Sequence, residues 1–272
     1  MKSGQSASAA NLKKFQRRIH SYYTKHGRNL PWRNTKNPYH IFVSEVMLQQ
    51  TQVDRVLPKY TLFLKKFPTL KSLAEASLKD VLLVWQGLGY NRRAKFLKQA
   101  TEIIIRDYKG IIPRETKILE QLPSIGSYTA AAIVTFAFGG REVFVETNIR
   151  SVYIDYFFSK AKKVHDKKIL SLIEQTLPKK DFREWYFGLM DYGAYLKKDG
   201  KNPSRRSAHF AKQSAFRGSN REMRGKILKL VSQKSLSRVE IKKALGEKSL
   251  SLLRELMREG FLDVKRGKVI IA

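Results

Sequence analysis

The chain has 272 residues, with 54 Lys and Arg against 23 Asp and Glu, a formal charge of +31, and no cysteine. That length suffices for two or three compact units. The missing thiols exclude disulfides and thiolate metal sites, and no run approaches the roughly 20 apolar residues of a membrane-spanning helix. A positive excess spread along a whole chain repels itself unless an anionic partner neutralises it. Nucleic acid, whose phosphates release counterions on contact, is the first candidate.

The opening MKSGQSASAANL, residues 1–12, is small and polar, lacks the apolar core of a signal peptide, and is expected to be a disordered lead. An intracellular protein is the expectation, in the compartment that holds the DNA. From there to about residue 196 helical spacing dominates. NLKKFQRRIHSYYTKHG, SLKDVLLVWQ, NRRAKFLKQATEIIIRDY and DKKILSLIEQTL all repeat apolar residues at intervals of three and four. Asn37-Pro38 is an N-cap followed by a first-turn proline, and Ser77 with Asp80 forms a capping-box pattern. Stops are expected at Gly89, Gly110, Pro123 and Gly139, and nothing alternates as strands do. From Lys197 to about Arg224 the chain turns basic and nearly free of aliphatics, as a linker or a nucleic-acid-facing surface. REMRGKILKLVSQ, SRVEIKKALG and KSLSLLRELMREG then predict three helices, and FLDVKRGKVIIA two short strands around Arg266-Gly267. This is a winged-helix pattern, although a helical protein-contact module has the same periodicity.

Two stretches carry chemistry. In IFVSEVMLQQTQ, residues 41–52, Glu45 is the lone carboxylate of a segment apolar on nearly every side. A helix of that kind is buried, and burial pushes a carboxyl group toward its protonated form, as a general acid requires. The competing reading is a structural glutamate paired with an arginine such as Arg33. In LEQLPSIGSYTAAAIVTFAFG, residues 119–139, a helix ending at Leu122-Pro123, a tight turn and a new helix from about Ser127 present backbone N–H groups to a phosphate. FVETNIRSVY follows, with Glu146 at a helix start.

LPWR (30–33), SEVMLQQTQV (44–53), GLGYNRRA (87–94), LPSIGSYTAAA, VETNIR (145–150) and MDYGA (190–194) occur in the order that characterises the adenine DNA glycosylase (MutY) family. Over residues 12 to about 215 the chain resembles that family, part of the helix-hairpin-helix base-excision superfamily with endonuclease III and the mismatch thymine glycosylases. The resemblance implies an all-α, two-lobed glycosylase fold over 13–215 with an inserted helical lobe at 30–125. The basic linker and winged-helix-like unit would occupy 216–272. It implies that Glu45 protonates a flipped adenine and that Glu146, where the family has Asp, stabilises the sugar cation. Asn148 would assist. Tyr128 stands where endonuclease III has its nucleophilic lysine, and a phenol cannot form a Schiff base, so strand cleavage is not expected. Trp32, Arg33, Leu48 and Asp191 fall around the base pocket, although Trp32 equally fits ordinary core packing. Gln49, Gln50 and Tyr90 match residues that enter the duplex and wedge the gap, with Arg92, Ser124, Gly126, Ser127 and Thr129 on the DNA backbone.

Three departures stand out. Glu146 lengthens the family's Asp by a methylene. The C-x6-C-x2-C-x5-C pattern that holds the family's iron–sulfur cluster reads Lys197, Ser204, Ser207 and Gln213, so no cluster, and no other resident cofactor or metal, is expected. A monovalent cation on the hairpin carbonyls is the one exception left open. The family's C-terminal domain, which reads 8-oxoguanine, is replaced by the unit at 216–272. The expected function is a monofunctional glycosylase, acting as a monomer on double-stranded DNA with adenine opposite G or 8-oxoguanine. A thymine or uracil mismatch glycosylase and a non-catalytic DNA-binding regulator remain alternatives.

Overall fold

A computed structural model describes residues 8–212 and 215–272. In chain order the helices are α1 (Ala9–His26), α2 (Pro38–Leu48), α3 (Val53–Lys66), α4 (Leu70–Glu75), α5 (Leu78–Trp85), α6 (Arg92–Asp107) and α7 (Thr116–Leu119). There follow α8 (Ser127–Phe138), α9 (Thr147–Phe157), α10 (Asp166–Thr176), α11 (Phe182–Lys198), α12 (Asn220–Gln233), α13 (Arg238–Leu245) and α14 (Lys248–Arg258). The chain closes on an antiparallel hairpin, β1 (Leu262–Lys265) and β2 (Lys268–Ile271).

Local chemistry explains most boundaries. The Asn37 side chain accepts from the Tyr39 N–H at 2.9 Å, with Pro38 filling the first helical position. Ser77 accepts from the Asp80 N–H, but Asp80 turns back to the Ser77 hydroxyl rather than to its backbone. Arg266 and Gly267 both take positive φ, the geometry of a tight type I′ hairpin turn. Two expectations need correction. The polar lead was expected to run to residue 12, yet α1 begins at Ala9, capped by the Ser8 hydroxyl on the Asn11 N–H. Residues 1–7 lie outside the described residues. The first hairpin helix ends at Leu119 rather than Leu122, because the chain tightens into three-residue turns, Gln121 N–H to Ile118 O and Leu122 N–H to Leu119 O.

The described residues form two compact units. One gathers 8–36, 114–117 and 126–212 around Phe15, whose ring meets Tyr153, Tyr156 and Phe157 at about 5 Å. Here α11 runs along α1 and α9. Gly193 makes the second contact possible: a Cβ there would lie 2.2 Å from the Asn148 carbonyl oxygen. The other unit gathers 37–113, 118–125 and 215–272. Its core holds Phe42, Met47, Phe63, Leu73, Trp85 and Leu97, all essentially without solvent exposure. The C-terminal segment, expected as a domain of its own, clusters with these helices. Arg92 and Arg224 converge on Glu259, the Lys95 ammonium reaches the Gly260 carbonyl at 2.9 Å, and Gln86 bonds Ser232 at 3.2 Å. The two arginines hold the Glu259 carboxyl down at about 2 against a smaller effect of burial. An isolated antiparallel bridge from Leu236 to Val269 adds a third element beside the hairpin.

In the first unit, residues 203–208 are held by a guanidinium. Arg206 donates to the carbonyls of Phe158 (2.6 Å), Ser159 (2.9 Å), Ala161 (3.3 Å) and Ile154 (3.4 Å), at the C-terminal end of α9. Val164 and residues 206–208 exchange two further backbone bonds of 2.8 Å. Ser204 and Ser207 are buried and bond Asn202 and the His209 N–H. Gln213 lies outside the described residues. Replacing Arg206 with Met should cost about 2 kcal/mol, the worth of charge-assisted hydrogen bonds. The melting temperature should then fall by roughly 4 °C or more; calorimetry checks this, and Arg206→Lys should recover only part because it lacks the fork.

Candidate active site

In the second unit, Glu45 lies in the last turns of α2 and is 5 % exposed, with Ile41, Phe42, Val43, Val46 and Met47 around it on the same helix. The helix is buried on nearly all sides, as its composition requires. Beyond Leu48, which is half-buried, the chain turns sharply, and Gln50 takes φ +53°. The Gln49 amide donates to the Ser124 carbonyl at 3.1 Å, and Ser124 itself takes φ +64°. The GLGYN turn between α5 and α6 places Tyr90 at φ +47°. Left-handed backbone at non-glycine residues is costly and persists only where surroundings impose it.

Arg93 imposes it here, and sequence reasoning missed it. The residue is 6 % exposed, and its guanidinium donates to the carbonyls of Val46 (3.0 Å), Met47 (2.8 Å) and Gln49 (2.6 Å). It also reaches the Thr51 hydroxyl (2.8 Å) and the carbonyls of Leu88 (3.3 Å) and Gly89 (3.1 Å). One side chain thus satisfies the orphan carbonyls at the end of the Glu45 helix and the turn that carries Tyr90. Burial pulls its pKa down to about 10, which leaves it charged at neutral pH. A signal existed: Arg93 falls on the stripe with Leu97, Ala100 and Ile104 that forms the buried face of α6. Arg92, expected on the DNA backbone, instead grips Glu259 through Nε (2.9 Å) and Nη2 (2.6 Å).

In the first unit Glu146 is the N-cap of α9. One carboxylate oxygen accepts from the N–H groups of Asn148 (2.7 Å) and Ile149 (2.8 Å), and the other lies 3.3 Å from the Asn148 amide nitrogen. The longer side chain is therefore anchored at the positive end of a helix. Burial pushes its pKa up, against the two backbone hydrogen bonds and the charges of Lys197 and Arg150. Tyr128, in the first turn of α8, packs edge-on against Phe144. Gly126 and Ser127 are exposed, and no side chain caps this helix. Thr129, expected at the DNA backbone, is 3 % exposed.

Asp191 is an ion-cluster centre, with no side-chain exposure. It accepts from the Arg28 N–H (2.8 Å) and Nε (2.6 Å), and from both terminal nitrogens of Arg33 at 2.8 Å. Burial opposes the anion, but the bonds and charges of Arg33 and Arg28 outweigh it and hold the carboxyl below its ordinary range. Arg33 also stacks on Phe187 at 4.4 Å, and Trp32 is buried at 5 % exposure. Arg33, considered as a partner for Glu45, is engaged by Asp191. Among the described residues no group of three or more His, Asp or Glu could hold a metal, and no helix is long and apolar enough to cross a membrane.

Residues 43–179 match the HhH-GPD superfamily base excision DNA repair proteins, and the chain belongs to that superfamily. Within it, the chain is 37% identical over 187 residues to an adenine DNA glycosylase of Buchnera aphidicola, covering 67% of this chain and 53% of the relative. It is 44% identical over 133 residues to the adenine DNA glycosylase of Mycobacterium tuberculosis (48% and 44% covered), and 40% over 152 residues to that of Homo sapiens (53% and 28% covered). The chain therefore spans about half or less of these relatives. Among solved structures it resembles a thermostable thymine-DNA glycosylase, with TM-score 0.62 and 28% identity over 70% of this chain and 88% of the other. It shares its fold with an endonuclease III trapped on DNA, with TM-score 0.60 and 18% identity over 70% and 88%.

The Asp191 cluster gives a prediction. Asp191→Asn leaves the buried Arg33 and the partly exposed Arg28 short of their anion and should cost about 3 kcal/mol, the lower end for a broken buried pair. Because the folded pKa is depressed, the carboxylate's contribution is present above the unfolded value and is lost as pH falls through the folded one. Denaturant titrations should therefore show wild type and Asp191→Asn converging in stability under acid and diverging toward neutrality.

Proposed function

We propose that the chain is a monofunctional DNA glycosylase that releases adenine mispaired with guanine or 8-oxoguanine from double-stranded DNA. The observation that carries the reading is Glu45, a buried carboxyl in an apolar helix within the stretch 43–179 that matches the base-excision superfamily. In the proposed reaction the Glu45 carboxyl gives its proton to a ring nitrogen of the extruded adenine. The bond from C1′ to the base then breaks, its electron pair leaving with adenine, and the Glu146 carboxylate offsets the positive charge on the sugar. Water adds at C1′ and returns a proton to Glu45, leaving an abasic site. Tyr128 offers no amine, so the strand stays intact. The protein acts as a monomer, where the DNA is, and without an iron–sulfur cluster because it has no cysteine. The likeness to a thymine-DNA glycosylase supports one second reading, excision of thymine opposite guanine.

Duplexes with A opposite G or 8-oxoguanine, and with T or U opposite G, followed by hydroxide cleavage of abasic sites, separate these readings. Adenine release is expected; release of thymine but not adenine overturns the first choice, and no release at all favours a DNA-binding regulator. Glu45→Gln should slow release by about 100-fold or more with DNA affinity retained, and an unchanged rate would refute the assigned acid. The raised pKa of Glu146 predicts a pH effect of definite sign. As pH falls through that value the carboxylate protonates and the rate drops, so the acid limb of the single-turnover profile should begin above the ordinary glutamate range. Glu146→Gln should be slow at neutral pH and lack that limb.

A further inference from the structure

A cleft of about 530 Å³ lies in the second unit, with Gln50, Gly89 and Tyr90 on one side and Arg221, Gly225 and Lys229 of α12 on the other. It continues into a second hollow of about 480 Å³ that shares Gln50, Tyr90 and Arg221. We propose that α12 is the second wall of a subsite for the nucleotide opposite the excised base, and that Arg221 selects guanine there. The proposal rests on the glycosylase reading, since it concerns the strand facing the excised base.

Three observations carry it. First, Arg221 sits on the wedge residue itself. Its Nη1 bonds the Tyr90 hydroxyl, and its guanidinium lies 5.0 Å from the Tyr90 ring centre and 6.0 Å from that of Phe216. A planar cation among aromatic faces is a stacking platform for a nucleobase. Docking of the C-terminal segment does not require this arginine, because Arg92, Arg224, Lys95 and Gln86 already perform it.

Second, Gly225 stands one helical turn beyond Arg221, inside α12, where glycine is less favourable than alanine. Neither conformation nor packing calls for it. Its φ is not positive, and a Cβ added there would meet nothing within 4 Å. A glycine in this place leaves room on the cleft wall. Third, Gln50 and Tyr90, on the facing wall, both hold left-handed backbone, a strain found where a ligand is gripped.

The selected base follows from the donor set. Arginine has donors only, in a fork that matches the O6 and N7 acceptors of guanine. In 8-oxoguanine N7 carries a hydrogen, which meets a second donor and breaks the fork. On that same major-groove edge cytosine presents only its N4 donor. The subsite is therefore a guanine subsite, provided by a segment that does not resemble the family's own C-terminal domain.

Duplexes that hold a stable abasic analogue opposite G, 8-oxoguanine or C test this by affinity alone, whether or not the enzyme releases adenine. Wild type should prefer guanine by about 5- to 150-fold, the range for one bidentate contact. Arg221→Met should bring the three affinities within about twofold of one another while binding opposite C changes little. Gly225→Leu should do the same with an equal or higher melting temperature, which separates a filled cleft from a damaged fold. A wild type without guanine preference, or a preference that survives both substitutions, overturns the proposal. Free dGMP serves as a further arm: saturable binding lost in Gly225→Leu supports the cleft as a nucleotide site, and dGMP binding unaffected by either change counts against it. If preference for guanine holds while no adenine is released from any duplex, the functional reading fails and the subsite stands.

Discussion

The buried Arg93 guanidinium is the interaction on which the second unit depends. Helices end with unsatisfied carbonyls, and a buried helix cannot leave them to water. At the end of α2 those carbonyls meet one fork, which also takes acceptors from the turn before α6. The residue proposed as the acid and the residue proposed as the wedge are thereby fixed to one rigid group. Truncating such a side chain leaves several buried acceptors without donors at once, so its loss damages position before it damages chemistry.

In the first unit α9 plays the corresponding part. Its N-terminus holds the Glu146 carboxylate by two N–H groups, its C-terminus is gathered by Arg206, and its flank meets α11 at Gly193 with no room for a methyl group. Asp191, two residues before Gly193, anchors α11 to the Arg28–Arg33 segment. The short motif MDYGA is thus two constraints in five residues, a charge anchor and a close approach.

Much of this architecture was legible in the chain. Three- and four-residue spacing located the long helices, Asn37-Pro38 and Ser77 marked starts, Arg266-Gly267 marked the hairpin, and an apolar helix with one carboxylate marked Glu45. The illegible parts share a cause. Glu259 and Arg92 are 167 residues apart, and Arg33 and Asp191 158, so nothing local in either sequence window announces the partner. Arg92 looked available for phosphate because its acceptor lies in a segment outside the family resemblance. Arg93 looked like one more surface cation in a chain with 54 of them; only its register with the buried face of α6 set it apart. The early end of α7 turned on two three-residue turns, and the early start of α1 on the Ser8 cap, local hydrogen bonds that composition does not encode.

The Arg206 fork has a consequence of another kind. In a chain without cysteine, this loop coheres on a group translated as part of itself. A guanidinium keeps its charge over the whole range in which proteins fold, has no second oxidation state, and needs no delivery after synthesis. The Arg206 bonds form with the fold itself and are indifferent to oxidants.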